Sequence, residues 1–96
     1  MSPLKRKKLG KIRSELDKLD NSLIKLIKKR TNLVNQVLKL KDKKKDIIDN
    51  KRIKIILKNI RKKSITNKID PKITNRIWKN MIWSYIDYER RNFKKK

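Results

Sequence analysis

The fold is decided by residues 9–40, which read LGKIRSELDKLDNSLIKLIKKRTNLVNQVLKL. Apolar side chains recur there at alternating spacings of three and four residues: Leu9, Ile12, Leu16, Leu19, Leu23, Leu26, Leu33, Val37 and Leu40. We call this row of side chains the seam. Its period predicts one apolar stripe along a helix of about 35 residues, which is longer than an ordinary helix of a globular protein. Such a helix needs a partner along its length, as in a coiled coil.

Arg30 occupies the position that breaks the apolar series of the seam. A guanidinium in an apolar stripe is costly unless it meets an anion, so this position predicts a negatively charged partner. Lys41 follows 11 residues later, close to three helical turns, and shares the face of Arg30 at an axial separation of about 16 Å. The two long side chains could bracket a small anion. Arg13 lies about 100° from that face and could serve the site of a partner chain in a dimer. The alternative for each cation is a solvated surface position.

The composition limits the chemistry that is open to this chain. It has no cysteine and no histidine, which excludes disulfides, thiolate chemistry, imidazole acid–base catalysis and the usual zinc sites. Any catalysis must therefore use Arg, Lys, Asp, Glu or Tyr, and we predict neither a metal nor a cofactor. A chain of 96 residues makes one domain at most, here residues 1–96, and buries little surface alone, which favours a homodimer.

The net charge of +23 first suggests nucleic acid, because clustered Lys and Arg side chains neutralise phosphates. The lysines are spread over all segments, however, and no zinc-finger, homeodomain or RNA-recognition signature is present, so the sequence argues against a nucleic-acid partner. No apolar run approaches the roughly 18 residues of a membrane span, and the basic start at residues 5–8 precedes an amphipathic helix rather than an apolar signal segment. These features predict a soluble, cytoplasmic protein without a membrane partner.

The chain after the seam predicts two further helices. Charged residues between 42 and 50 interrupt the apolar pattern, and Asp49 is a suitable N-cap for a new helix. Asp70-Pro71 starts another, with Asp as N-cap and Pro at the first helical position. Alternation around Ile53 leaves a strand as the alternative for the second segment. We therefore predict an all-α fold with one long, one short and one medium helix: about residues 6–42, 50–63 and 71–93.

The third helix carries a second misplaced charge. Its apolar stripe runs from Ile73 and Ile77 to Tyr85 and then reaches Glu89, so that a carboxylate lies in line with the apolar face. The alternative is that Glu89 lies at the rim, paired with Arg90 or Lys79.

Several motifs occur in a fixed order along the chain: IRSELDKLD at 12–20, Leu23, Leu26 and Ile27 before Arg30, Lys39-Leu40-Lys41, Asp49 with Arg52, Ile69-Asp70-Pro71, and Ile77-Trp78 followed by Met81-Ile82, Tyr85 and Glu89. This ordered set resembles the all-helical class of chorismate mutases over nearly the whole chain. The resemblance implies three helices per chain in an intertwined homodimer. It also implies two equivalent active sites, each completed by the long helix of the other subunit.

The resemblance assigns a role to each misplaced charge. Arg13 would reach from the partner subunit to one substrate carboxylate, and Arg30 would hold a carboxylate from within the subunit. Lys41 would contact a carboxylate and the ether oxygen of the substrate, and Glu89 would face that oxygen from the opposite side. To donate a hydrogen bond there, the carboxyl group of Glu89 must be protonated.

The remaining positions of the implied site include two departures from the family pattern. Asp49 and Arg52 look like the residues that orient the ring hydroxyl and organise the pocket. Tyr85 stands where the family commonly has a serine. Ile53 stands where a glutamate often binds the ring hydroxyl, and isoleucine cannot form that hydrogen bond.

The implied reaction is compatible with the residues present. The rearrangement of chorismate to prephenate, a step of aromatic amino-acid biosynthesis, needs no nucleophile, metal or proton transfer, so an isomerase without His or Cys could catalyse it. An isochorismate pyruvate-lyase on the same scaffold is an alternative, although Asp49 favours the mutase. A basic coiled-coil module that binds nucleic acid or a partner helix is a further alternative, which does not explain Arg30 and Glu89 on apolar faces.

Overall fold

The structure is a computed structural model that describes residues 1–94. Its elements are three α-helices and one turn of 3₁₀ helix at Lys44–Ile47: α1 (Pro3–Leu40), α2 (Asn50–Thr66) and α3 (Pro71–Asn92). No strand occurs among the described residues, so the all-α class with three helices is confirmed and the strand alternative for the second segment is wrong. Residues 95 and 96 of the predicted domain lie outside the described range.

The helix ends differ from the expected ones by a few residues. α1 begins at Pro3 rather than near residue 6, and it ends at Leu40, so that Lys41 lies just beyond the helix. α2 continues to Thr66, and α3 ends at Asn92. Within residues 1–94, no helix is both long enough and apolar enough to cross a membrane.

The described chain forms two compact units, of which the first is Met1–Leu33. It consists almost entirely of the first part of α1, which starts where Ser2 Oγ accepts a hydrogen bond from the N–H of Lys5 at 3.2 Å. The seam side chains of this unit are largely exposed, for example Leu19 at 61%. Because a single helix cannot cover its own apolar stripe, this unit contributes apolar surface and no core of its own.

The second unit begins at Val34 and contains the end of α1, the 3₁₀ turn, α2 and α3. Its core is formed by the buried side chains of Leu38, Ile47 and Ile86. Partly buried apolar side chains pack around these three: Ile48, Ile53, Ile82 and Phe93. The core therefore joins the last turns of α1 and the 3₁₀ turn to α2 and to the C-terminal half of α3.

Side-chain caps explain where α2 and α3 begin. Asp49 is the N-cap of α2, and its Oδ1 accepts a hydrogen bond from the N–H of Arg52 at 3.0 Å. Asp70 caps α3 in the same way through the N–H of Lys72 at 2.9 Å, with Pro71 at the first helical position. α2 and α3 are linked by a hydrogen bond of 2.6 Å between the hydroxyl groups of Ser64 and Thr74.

The buried face at the end of α1 is not the seam. Leu38 is buried, and Val34 is partly buried, whereas Val37 and Leu40 in the seam are 48% and 80% exposed. Consecutive helical residues point about 100° apart, so within the second unit the end of α1 packs through the side next to Val37 and Leu40. Val37 and Leu40 of the seam therefore remain uncovered by the core of the second unit.

The apolar stripe of α3 is likewise only partly covered. Ile73 and Ile77 were expected on its buried face, but they are 56% and 50% exposed. Ile86, which lies outside the expected stripe, is buried instead.

Candidate active site

Lys41 and Glu89 form an ion pair that is largely removed from solvent. The distance between Lys41 Nζ and Glu89 Oε2 is 3.0 Å, and the side chains are 18% and 9% exposed. Lys41 follows the end of α1, where its N–H donates to the carbonyl of Leu38 at 3.1 Å. Its Nζ also donates to the carbonyl of Ile47 at 3.4 Å. Lys41 and Glu89 are 48 positions apart in the sequence, and the fold brings their charged groups into direct contact.

The burial of Glu89 requires this partner, because an unpaired carboxylate would lose its hydration without compensation. The alternative of a rim position, with Arg90 or Lys79 as the partner, is therefore wrong. In this contact the ammonium group of Lys41 and the carboxylate of Glu89 satisfy each other. A bound atom can lie between the ammonium group and Oε2 only if these two atoms move apart.

Two tyrosines of α3 lie beside this pair along the helix. Tyr88 directly precedes Glu89, and its hydroxyl group donates a hydrogen bond to Asn35 Oδ1 of α1 at 2.8 Å. The ring of Tyr85 meets that of Tyr88 edge to face, with centroids 6.4 Å apart. Tyr85, the predicted substrate-binding residue, is therefore in contact with the residue that adjoins Glu89. The link between Tyr88 and Asn35 could not be predicted from the sequence, where only the polar character of both residues is visible.

Arg30 lies in the first unit and is partly buried. Its Nε atom is buried and has no hydrogen-bond partner among residues 1–94. A buried guanidinium N–H without an acceptor is unfavourable by roughly 1–3 kcal/mol or more. The position therefore suits an acceptor supplied from outside the chain, such as a carboxylate. Arg13 belongs to the same unit, where its side chain is exposed.

Asp49 and Arg52 are joined through the cap of α2 rather than through their charged groups. Asp49 accepts the Arg52 N–H through Oδ1, while its Oδ2 makes no hydrogen bond to the described residues. The side chains of both residues are exposed. Ile53, the departure from the family pattern, packs against the core of the second unit. An apolar residue at this position therefore has a structural function.

The comparisons with known proteins place these residues in a family. The family model for chorismate mutase type II matches residues 12–90. The chain therefore belongs to the chorismate mutase type II family, and the resemblance that the sequence motifs indicate is confirmed. Neither a curated protein nor a solved structure matches the chain.

Proposed function

We propose that this protein is a chorismate mutase, an isomerase that converts chorismate to prephenate in aromatic amino-acid biosynthesis. The observation that carries the proposal is the buried ion pair of Lys41 and Glu89 in a chain that belongs to this family. We propose that the active unit is a single domain over residues 1–96 and that the reaction uses neither a metal nor a cofactor.

The reaction is an intramolecular rearrangement in which a C–O bond breaks while a C–C bond forms. The substrate carries two carboxylates, and negative charge grows on its ether oxygen in the transition state. Catalysis therefore requires that the dianion is held in its compact reactive conformer and that a positive or proton-donating group lies at the ether oxygen. Arginine suits the first task, since its planar group binds carboxylates in a bidentate manner.

We assign the binding of one carboxylate to Arg30. The buried Nε of Arg30, which lacks an acceptor within residues 1–94, supports this assignment. Arg13 of the partner subunit would bind the other carboxylate, for which its exposure on α1 leaves it free to reach another chain.

We assign the ether oxygen to Lys41 and Glu89. In the present structure they are 3.0 Å apart, so there is no room for a substrate oxygen between them. Chorismate would replace this contact. A proton on Glu89 would end its attraction for the ammonium group, release Lys41 to the substrate and let Glu89 donate a hydrogen bond to the ether oxygen.

The ring hydroxyl would be bound near the start of α2. Asp49 still has Oδ2 available after it caps the helix, which suits a hydroxyl donor. Arg52 adds positive charge at the same end of α2, and Tyr85 would contribute to the wall of the pocket. Ile53 faces the core and forms no hydrogen bond there, so Asp49 is the residue on which binding of the hydroxyl depends.

We further propose an intertwined homodimer in which the two chains cover each other's seams. Six seam side chains are each 52–61% exposed in one chain: Ile12, Leu16, Leu19, Leu23, Leu26 and Leu33. Full burial of such a side chain is worth roughly 1.5–3 kcal/mol, so that covering the exposed half of each contributes on the order of 1 kcal/mol per residue. Both chains would contribute this amount, which favours association strongly.

The test is to incubate the purified protein with chorismate and, separately, with isochorismate. We expect chorismate to disappear in the ultraviolet and prephenate to accumulate, without pyruvate from either substrate. Pyruvate released from isochorismate would favour the lyase, and a folded protein that consumes neither substrate would overturn the proposal. Binding of nucleic acid without turnover would favour the coiled-coil alternative.

A further inference from the structure

The hydrogen bond between Tyr88 and Asn35 is a second polar link between the segments that carry Lys41 and Glu89. Asn35 lies on α1 six residues before Lys41, which is about 9 Å along a helix axis. Tyr88 lies on α3 directly before Glu89. The Oη–Oδ1 distance of 2.8 Å is typical of a good hydrogen bond, and both side chains are partly buried.

The ring of Tyr88 is fixed from a second direction as well. Tyr85 meets it edge to face at 6.4 Å, with the ring planes at 90°. A ring held by a hydrogen bond at one end and by an aromatic contact has little freedom to change its rotamer. The backbone of α3 next to Glu89 is therefore tied to α1 independently of Glu89 itself.

From these contacts we propose that Tyr88 is a positioning residue, which keeps the carboxyl group of Glu89 in place when Lys41 leaves it for the substrate. This inference rests on the proposed function. In the absence of substrate, the ion pair itself aligns the two segments. During turnover that contact is given up, and the link from Tyr88 to Asn35 remains to hold α3 against α1. Tyr88 does not touch the substrate; it acts through Glu89.

The test begins with Tyr88→Phe, which keeps the ring and its contact with Tyr85 but removes the hydroxyl group. We expect kcat to fall about 10-fold with KM changed less than about 2-fold, because Glu89 acts on the transition state rather than on substrate binding. Asn35→Leu should have the same effect, and the double variant should be no worse than either single one. Asn35→Asp, which keeps an acceptor oxygen, should retain most of the activity.

A matched control is Thr74→Val, which removes the hydroxyl group that links α2 to α3 at 2.6 Å. It also deletes one partly buried hydrogen bond between helices, but it lies 15 residues from Glu89 along α3. We expect a similar loss of stability with kcat unchanged. If Thr74→Val lowers kcat as much as Tyr88→Phe does, the effect of Tyr88 is general destabilisation and the inference is wrong.

The decisive measurement combines Tyr88→Phe with Glu89→Ala. If Tyr88 acts through Glu89, its removal should change kcat less than about 2-fold once the carboxyl group is absent, whereas in Glu89→Gln the 10-fold effect should persist. If Glu89→Ala is too slow to assay, the comparison of Asn35→Asp with Asn35→Leu decides instead. The inference requires that Asn35→Asp retains most of the kcat and that Asn35→Leu does not. Equal effects in all backgrounds, or an active wild-type enzyme that is insensitive to Tyr88→Phe, would overturn the inference. A wild-type protein that turns over no chorismate would overturn the proposed function, and the inference with it.

Discussion

Removal of Lys41 should destabilise the fold more than a surface substitution can. At 3.0 Å and an effective dielectric constant of about 20, the attraction between Lys41 and Glu89 is roughly 5.5 kcal/mol, most of which offsets the desolvation of the two charges. Lys41→Met leaves the carboxylate of Glu89 buried without its partner, and breaking such a pair costs roughly 3–5 kcal/mol. Because Lys41 is 18% exposed and water can reach it, we expect a value near the lower end, about 3 kcal/mol.

The double variant Lys41→Met/Glu89→Leu removes both charges together. Since buried pairs can often be replaced by apolar side chains with little loss, it should unfold within about 1 kcal/mol of the wild type. Urea unfolding followed by circular dichroism, at one fixed protein concentration, measures these differences. Arg91→Ala is the control, because it breaks an ion pair with Asp87 of the same 3.0 Å length whose side chains are 65% and 70% exposed. It should cost no more than about 0.5 kcal/mol. The single variants Lys41→Met and Glu89→Leu each lose some free energy of unfolding. If the double variant loses the sum of these two amounts, Lys41 and Glu89 are not a buried, coupled pair.

Three further predictions concern assembly and turnover. The folded protein should sediment as a homodimer at micromolar concentration, and a well-folded monomer there would contradict the role of the seam. Arg13→Ala and Arg30→Ala chains, each inactive alone, should recover about a quarter of wild-type activity when refolded as an equal mixture, since half of the dimers then contain one intact site; no recovery in proven mixed dimers would exclude a shared site. Glu89→Gln should retain turnover, because an amide can donate a hydrogen bond to the ether oxygen, whereas Glu89→Leu should lose most of it; equal turnover of these two variants would show that Glu89 is not the donor.

The helices and the unusual charges could be predicted because they depend on local pattern. The period of the seam indicated α1, and the short polar side chains of Asp49 and Asp70 indicated where α2 and α3 begin, because capping acts within one helical turn. Arg30 and Glu89 stood out because a charge on an apolar face needs a partner.

The identity of the partners could not be predicted, because it depends on how the helices pack. Glu89 has Arg90 beside it in sequence and Lys79 earlier on α3, yet it pairs with Lys41, 48 residues away. Leu38 and Ile86 were missed as core residues for the same reason, since an apolar period shows that a helix has a buried face but not which neighbour covers it. The half-exposed Ile73 and Ile77 of α3 show the converse, because an apolar stripe on one chain is not always covered by that chain.

The most direct test of the assignment is the kcat/KM for chorismate of the wild type and of Arg30→Ala, measured beside Lys29→Ala. Lys29 is the exposed neighbour of Arg30 on α1, so it controls for the loss of one positive charge. The assignment predicts that the wild type produces prephenate, that Lys29→Ala is unaffected, and that Arg30→Ala loses at least about 100-fold with its helical circular-dichroism signal intact. A folded wild-type protein without turnover, or an Arg30→Ala variant as active as Lys29→Ala, would contradict it.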